Sequence, residues 1–181
     1  MTKTLYLLRH AKSGWDDPVA RDFDRPLNKR GEKAARVIGQ WMASNGIVFE
    51  QVIASPAVRV IDTLDGIWAG YGRKMEPTWD RRIYLASSAT LLDVLREASD
   101  AHDSILMVGH NPGMEDVVFD LVPDDGSSPL REEVEIKYPT AALAQLDLPI
   151  DHWADIGKRT GHLKRFVRPR DLDPELGPED E

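Results

Sequence analysis

The sequence predicts a three-layer α/β/α domain built around a mostly parallel central sheet. Three short apolar runs carry the prediction: Thr4 to Leu8, Val52 to Ala54 and Ile105 to Val108. None alternates with polar residues, as expected of strands covered on both faces. Each is followed by a segment whose apolar residues recur at helical spacing, and alternating strands and helices imply parallel pairing with helices on both sides of the sheet. At 181 residues the chain has the length of one domain.

The first strand stops at Arg9-His10, and a loop rich in Gly, Asp and Pro runs from Ala11 to Pro26. Ala34, Ala35, Ile38, Trp41 and Met42 then mark a helix, with Asn28 as its N-cap and Asn45-Gly46 as its stop. After the second strand, Ser55 reads as an N-cap and Pro56 as the first helical residue. Val58, Ile61, Leu64, Ile67 and Trp68 form that helix's face, and Gly70 and Gly72 end it. A strand is expected within Met75 to Trp79, and a helix carrying Leu91, Leu92 and Leu95 starts near Ser88. Ile105 to Val108 leads through Gly109-His110-Asn111-Pro112 into a helix with Val117, Val118 and Leu121. Pro123 to Pro129 is a polar loop, and Ala141 to Leu146 and Gly161 to Val167 supply further strands. From Arg170 onward six acids (Asp171, Asp173, Glu175, Glu179, Asp180, Glu181) accompany one base, without a periodic apolar face. The expected organisation is a domain over 1–169 and an acidic, mobile tail over 170–181.

The formal charge of −8 argues against general nucleic-acid or anionic-membrane binding, which rests on excess Lys and Arg. The absence of cysteine excludes disulfides, thiolate nucleophiles, zinc fingers and iron–sulfur clusters. Leu5 to Leu8 is far shorter than the apolar core of a signal peptide, and no later run could span a bilayer, so a cytoplasmic protein is expected.

Ligands of parallel α/β sheets bind at the carboxyl ends of the strands, where helix N-termini present unpaired N–H groups. The first strand exit offers Arg9 and His10, the second Ser55 and Arg59, and the third Gly109, His110 and Asn111. Two arginines and two histidines thus converge on one crevice. Guanidinium groups bind phosphate oxygens in pairs, and neutral imidazole is a competent nucleophile near pH 7. The set fits a site that holds a phosphoryl group and attacks it. Neither helix-spaced histidine pairs, clustered carboxylates nor a GxxxxGK loop accompany it, so neither metal nor cofactor is expected.

Leu8-Arg9-His10-Ala11-Lys12-Ser13, Ser55-Pro56-Ala57-Val58-Arg59 and Val108-Gly109-His110-Asn111-Pro112-Gly113 resemble the histidine phosphatase superfamily, and within it the SixA-like phosphohistidine phosphatases. Asp24-Arg25-Pro26-Leu27-Asn28-Lys29-Arg30-Gly31, Tyr138-Pro139-Thr140-Ala141-Ala142 and Arg168-Pro169-Arg170-Asp171-Leu172 extend the likeness over most of the chain. The resemblance implies a phosphoglycerate mutase-like fold and a metal-independent phosphatase. It casts His10 as the nucleophile, Arg9 and Arg59 as the phosphate clamp, and His110 as the second histidine on the transferring group. Lys12, Ser13 and Asp16 join Arg9, Arg59 and His110 as expected substrate-binding residues, with Lys12 and Ser13 either touching the phosphate or shaping the loop.

Larger superfamily members often carry a Glu after the third strand to protonate an alcohol leaving group. Here Arg82-Ile83-Tyr84-Leu85 places Leu85 at that point, with Asp16 or Asp17 as alternative acids. A phosphoramidate nitrogen leaves more easily than an alkoxide, so the departure favours phosphohistidine on a protein as substrate. The alternatives are a small-molecule phosphomonoesterase, a mutase, and a silent phosphate-binding module. The partner is a phosphorylated protein or small phosphorylated compound, with no nucleic acid and no membrane.

Blander readings accompany several residues. Ser55 and Asn28 read as helix caps, and His102, His152 and His162 as surface or core residues without partners. Trp15 is a candidate to line the crevice, while Trp41, Trp68, Trp79 and Trp153 pack in or around the core. Lys158, Arg159, Lys164, Arg165, Arg168 and Arg170 form a solvated face or dock an acidic phosphoprotein or the chain's own tail.

Overall fold

The computed structural model describes residues 2–14 and 21–177; Trp15, Asp16, Asp17 and the last four residues lie outside them. The strands are β1 (Lys3–Arg9), β2 (Gln51–Ala54), β3 (Thr78–Trp79), β4 (Ser104–Gly109), β5 (Leu143–Leu148) and β6 (His162–Val167). The helices are α1 (Lys29–Ser44), α2 (Val58–Tyr71), α3 (Ser88–Arg96), α4 (Gly113–Leu121), α5 (Pro129–Ile136) and α6 (Pro169–Leu172). The sheet order is β3-β2-β4-β1-β5-β6. Strands β1 to β4 pair in parallel, while β5 runs antiparallel to both β1 and β6.

The unbroken apolar runs have the expected cause. Along β1, Leu5 and Leu7 join the core under α3 and α4, whereas Tyr6 and Leu8 join the core under α1 and α2. The same division recurs in β4, with Ile105 and Met107 on one side and Leu106 and Val108 on the other. Each such side chain, buried from water, stabilises the fold by about 1.5–3 kcal/mol. Helices α1 and α2 approach closely through glycine: a Cβ on Gly39 would lie 2.3 Å from the Ile67 carbonyl oxygen, and one on Gly70 2.1 Å from that of Arg36. Gly70 is therefore inside α2, and Gly72, at φ +81°, ends it.

Asn28 caps α1 as expected, its side chain accepting from the Gly31 amide. Ser55 does not cap α2; the cap is Ala57, whose amide donates to the Ser55 hydroxyl at 3.3 Å, and that hydroxyl also meets His110. The short amphipathic helix α5 carries no periodic apolar signal in the sequence, because its only buried side chains are Val134 and Arg131. Strand β3 shrinks to two exposed edge residues, and Trp79 is exposed rather than packed.

The expected mobile tail is corrected over its described part. Residues 170–177 continue through α6 into a 3₁₀ turn whose Leu176 is buried in the core beneath α1. Lys33 meets Asp173 at 3.3 Å and Glu175 at 2.8 Å, and Arg30 donates to the Gly177 carbonyl at 2.6 Å. One apolar anchor suffices to dock a segment too short to show periodicity. His152 is likewise not without a partner, since its Nδ1 lies 3.0 Å from Asp100. Among the described residues no helix is long and apolar enough to cross a membrane.

Candidate active site

The strand register assembles the site. Arg9 pairs with Gly109 across β1 and β4, so the next residues, His10 and His110, face each other with ring centroids 5.3 Å apart. Ala54 pairs with Val108, which sets Ser55 beside His110, and the Ser55 hydroxyl lies 2.8 Å from His110 Nε2. Arg59, on the first turn of α2, completes a cleft of about 400 Å³ that Arg9, His10, Arg59 and His110 line together. Lys12 and Ser13 line it too, as do Arg25, Asp22 and Thr140. Asp16, the remaining expected binding residue, lies outside the described residues.

His10 is held by its own loop. Its Nδ1 lies 2.7 Å from the Ala11 carbonyl, which can only accept, so Nδ1 carries the proton and Nε2 keeps its lone pair. The Ala11 amide donates to Thr63 Oγ1, whose hydroxyl donates to the Arg59 carbonyl, tying the His10 loop to the arginine's helix. On the other side Ala141, at φ +61°, donates its amide to the Arg9 and His10 carbonyls. A left-handed backbone costs a non-glycine residue free energy, and such strain gathers where geometry matters. The Tyr138 carbonyl accepts from Arg9 at 2.9 Å and Asn111 at 3.0 Å, while the Tyr138 hydroxyl donates to the Leu7 carbonyl.

Both histidines are neutral at physiological pH. Burial, followed by His110, Arg9 and Arg59, lowers the His10 pKa to about 3, against the raising effect of its Ala11 hydrogen bond. Burial, then the charge of Arg59, with smaller contributions from Arg9 and Arg25, lowers His110 to about 3 despite Asp22. The His110 Nδ1 and Arg59 Nε are buried without a hydrogen-bond partner among the described residues. Such groups are rarely left unpaired, and an anion in the cleft would offer them acceptors.

Asp22 is the residue the sequence reading missed. Its carboxylate accepts from Arg59 at 3.1 Å, from Arg25 at 2.9 Å and from the Tyr84 hydroxyl, and Arg59 also donates to its carbonyl at 2.7 Å. Burial alone would raise its pKa, but the donors from Tyr84, Arg25 and Arg59 reverse this and hold the carboxyl well below the usual range. Leu85, at φ +51°, lines the cleft wall and brings no acid to it. The available signal was the neighbouring Asp24-Arg25-Pro26-Leu27 stretch, which fixes Asp22 by bringing Arg25 to it. Among the described residues no group of three or more His, Asp or Glu is placed to hold a metal ion.

Comparison with known proteins agrees with this arrangement. Residues 5–83 match the model of the histidine phosphatase superfamily, branch 1. The uncharacterised protein Rv1276c of Mycobacterium tuberculosis is 32% identical over 164 residues, covering 90% of this chain and all of that protein. A crystal structure assigned as the phosphohistidine phosphatase SixA of Agrobacterium tumefaciens superposes with a TM-score of 0.77 at 29% identity, covering 92% of this chain and 98% of that one. Another structure assigned as SixA, from Nakamurella multipartitia, gives 0.78 at 26% identity, covering 93% and 97%. These relationships support a phosphatase. The chain belongs to the histidine phosphatase superfamily, as a SixA-like member.

Proposed function

We propose that the protein removes the phosphoryl group from phosphohistidine on a partner protein, through a transient phosphohistidine at His10. In this reading the His10 Nε2 lone pair attacks phosphorus, the P–N bond to the substrate imidazole breaks, and the departing nitrogen takes its proton from water. A water molecule then attacks the phosphorus on His10, the P–Nε2 bond breaks, and inorganic phosphate leaves with His10 restored. Arg9 and Arg59 neutralise the phosphoryl oxygens, and His110 hydrogen-bonds the transferring group. In-line phosphoryl transfer needs positioning and charge stabilisation of this kind more than further covalent machinery. Lys12 and Ser13, which line the same cleft, contact the substrate in this reading.

The observation that carries the choice of substrate is the state of Asp22. It is the one acidic side chain among the described residues that line the cleft, and its three donors keep it ionised. An ionised carboxylate cannot protonate a leaving group, and Leu85 offers no proton. Such a site favours a leaving group that departs without a strong acid, as a phosphoramidate nitrogen does.

The test offers the purified protein, in EDTA, a phosphohistidine-bearing protein and p-nitrophenyl phosphate side by side, with His10→Ala as control. Fast loss of phosphohistidine with slow ester hydrolysis, both abolished in the variant, is expected. Equal or faster ester turnover would move the assignment to small phosphomonoesters, and inactivity on both substrates would leave a phosphate-binding module.

A further inference from the structure

Two neutral imidazoles face each other in the cleft, and the proton that each carries is set by a different kind of partner. The Ala11 carbonyl can only accept, so it places the His10 proton on Nδ1 and leaves the Nε2 lone pair for attack. Among the described residues no carbonyl or carboxylate hydrogen-bonds the His110 ring; its one such partner is the Ser55 hydroxyl, 2.8 Å from Nε2. A hydroxyl donates or accepts, so this contact by itself is compatible with either tautomer.

What else Ser55 touches decides between them. Its oxygen already accepts from the Ala57 amide at 3.3 Å. Its own proton has one acceptor within reach among the described residues, His110 Nε2. Ser55 is 0% exposed, so bulk water cannot take that proton, and a buried hydroxyl is seldom left without an acceptor. The residue is also held in place: its amide donates to the Val108 carbonyl at 3.1 Å, and the following Pro56 favours extended backbone before it. With the hydroxyl donating, Nε2 accepts and the His110 proton sits on Nδ1, the nitrogen that is buried without a partner. The opposite tautomer would meet phosphoryl oxygens with a lone pair and strand the Ser55 proton.

We propose that Ser55 is a positioning residue: its hydroxyl donates to Nε2, fixes His110 as the Nδ1–H tautomer, and so makes it a donor to the transferring phosphoryl group. The inference rests on the phosphoryl-transfer reading above. Both histidines then carry the same tautomer but present opposite ends of the ring, His10 a lone pair and His110 an N–H. Tyr84 lies edge-on to His110 with ring centroids 5.4 Å apart and spends its hydroxyl on Asp22, so it confines the ring without setting its proton.

Nitrogen-15 NMR of the imidazole rings in the full chain should place the His110 proton on Nδ1 at neutral pH. In Ser55→Ala it should move wholly or partly to Nε2, the form a histidine side chain favours in water. Turnover of p-nitrophenyl phosphate by that variant should fall about 10–100-fold in kcat/KM, short of losing a whole preorganised donor because some Nδ1–H form persists. In a His110→Ala background the same substitution should change kcat/KM by less than about twofold, since Ser55 acts through His110. A proton on Nε2 in the wild-type chain, or an unchanged tautomer in Ser55→Ala, would overturn the proposal. So would an equal loss of rate in both backgrounds, which is what a purely structural role predicts. Should Ser55→Ala fail to fold, the wild-type spectrum alone decides. Failure of the functional reading looks different: the wild-type chain turns over neither p-nitrophenyl phosphate nor a phosphohistidine-bearing protein, while the spectra still report which nitrogen Ser55 holds.

Discussion

The catalytic cleft and a neighbouring basic pocket, lined by Arg30, Lys137, Arg168 and Arg170 over the buried Ala34, Pro169 and Leu176, share a wall at Lys12 and Thr140, yet they hold positive charge in different ways. In the cleft the arginines are fixed: Arg59 is 2% exposed and donates to both the carbonyl and the carboxylate of Asp22, and Arg9 donates to the Tyr138 carbonyl. In the pocket the cations are half-buried and sit on loops and helix ends, with Arg168 paired to Asp171 and Arg30 donating to the Gly177 carbonyl. Fixed charge suits a transition state, whose oxygens move by fractions of an ångström and reward donors already in place. The same residue types thus differ in burial between the two places, deep and preorganised in the cleft and half-buried in the pocket.

The largest effect that sharpens the contrast is expected at Arg59. Arg59→Ala should lower kcat/KM on phosphohistidine by about 10²–10³, comparable to loss of one preorganised donor. Arg59→Lys should recover little, because an ammonium cannot reproduce the planar fork now spread over the Asp22 carbonyl and carboxylate. Recovery to near wild-type rates in the lysine variant would show that charge alone matters in the cleft, and the distinction from the pocket would fall.

A second test concerns protons. His10 and His110 have folded pKa values near 3, below the ordinary value of 6.5. Between pH 6.5 and 3 the unfolded chain therefore binds more protons than the folded one, so stability rises with pH in that window and is lost as pH falls. From pH 6.5 to 5 each histidine should withdraw roughly 1–2 kcal/mol. Denaturant unfolding at the two pH values measures this, and His110→Gln should reduce the loss. An NMR titration should show His10 still neutral, with its proton on Nδ1, at pH 5; a midpoint above pH 6 would contradict the burial argument.

Asp22→Asn is expected to have a smaller effect, in an informative direction. Removing the carboxylate frees Arg59 and Arg25 of a competing anion but also releases their alignment. Inorganic phosphate should then inhibit several-fold more strongly while kcat falls several-fold, a pattern in which ground-state binding and transition-state binding part company. Equal changes in both would show that Asp22 contributes only to folding.

The cleft was largely legible in the sequence because parallel pairing projects strand exits onto one edge: Arg9-His10 and Gly109-His110 are adjacent in register, and reading the apolar runs was enough to place them together. Arg59 followed from its helix's first turn. What stayed hidden depended on side chains reaching across the fold. Ser55 looked like a cap because serine before a helix usually is one, and only the β2–β4 register shows it serving His110. Asp22 lies in a turn whose periodicity carries no information, and its partners Tyr84 and Arg59 lie 62 and 37 residues away. The basic pocket was invisible for the same reason, since its five cations belong to four separate stretches of chain.

The smallest predicted effects concern how the C-terminal segment closes that pocket, and they separate burial from charge. Leu176 sits under α1 at 9% exposure, and Leu176→Ala should cost about 2 kcal/mol, at the lower end for a buried leucine because the segment can yield. Lys33 makes two ion pairs to the same segment, with Asp173 and Glu175, and the geometry looks tighter than any single apolar contact. Yet Glu175 is exposed, water and salt screen the pairs, and ordering a long lysine side chain consumes what they return. Lys33→Met should accordingly shift the melting temperature by no more than about 1–2 °C, less than the usual shift for a 1 kcal/mol change in a chain of this size. A larger loss on Lys33→Met than on Leu176→Ala would mean that charge holds the segment in place, and the pocket's apolar floor would then be a consequence of the ion pairs rather than their support.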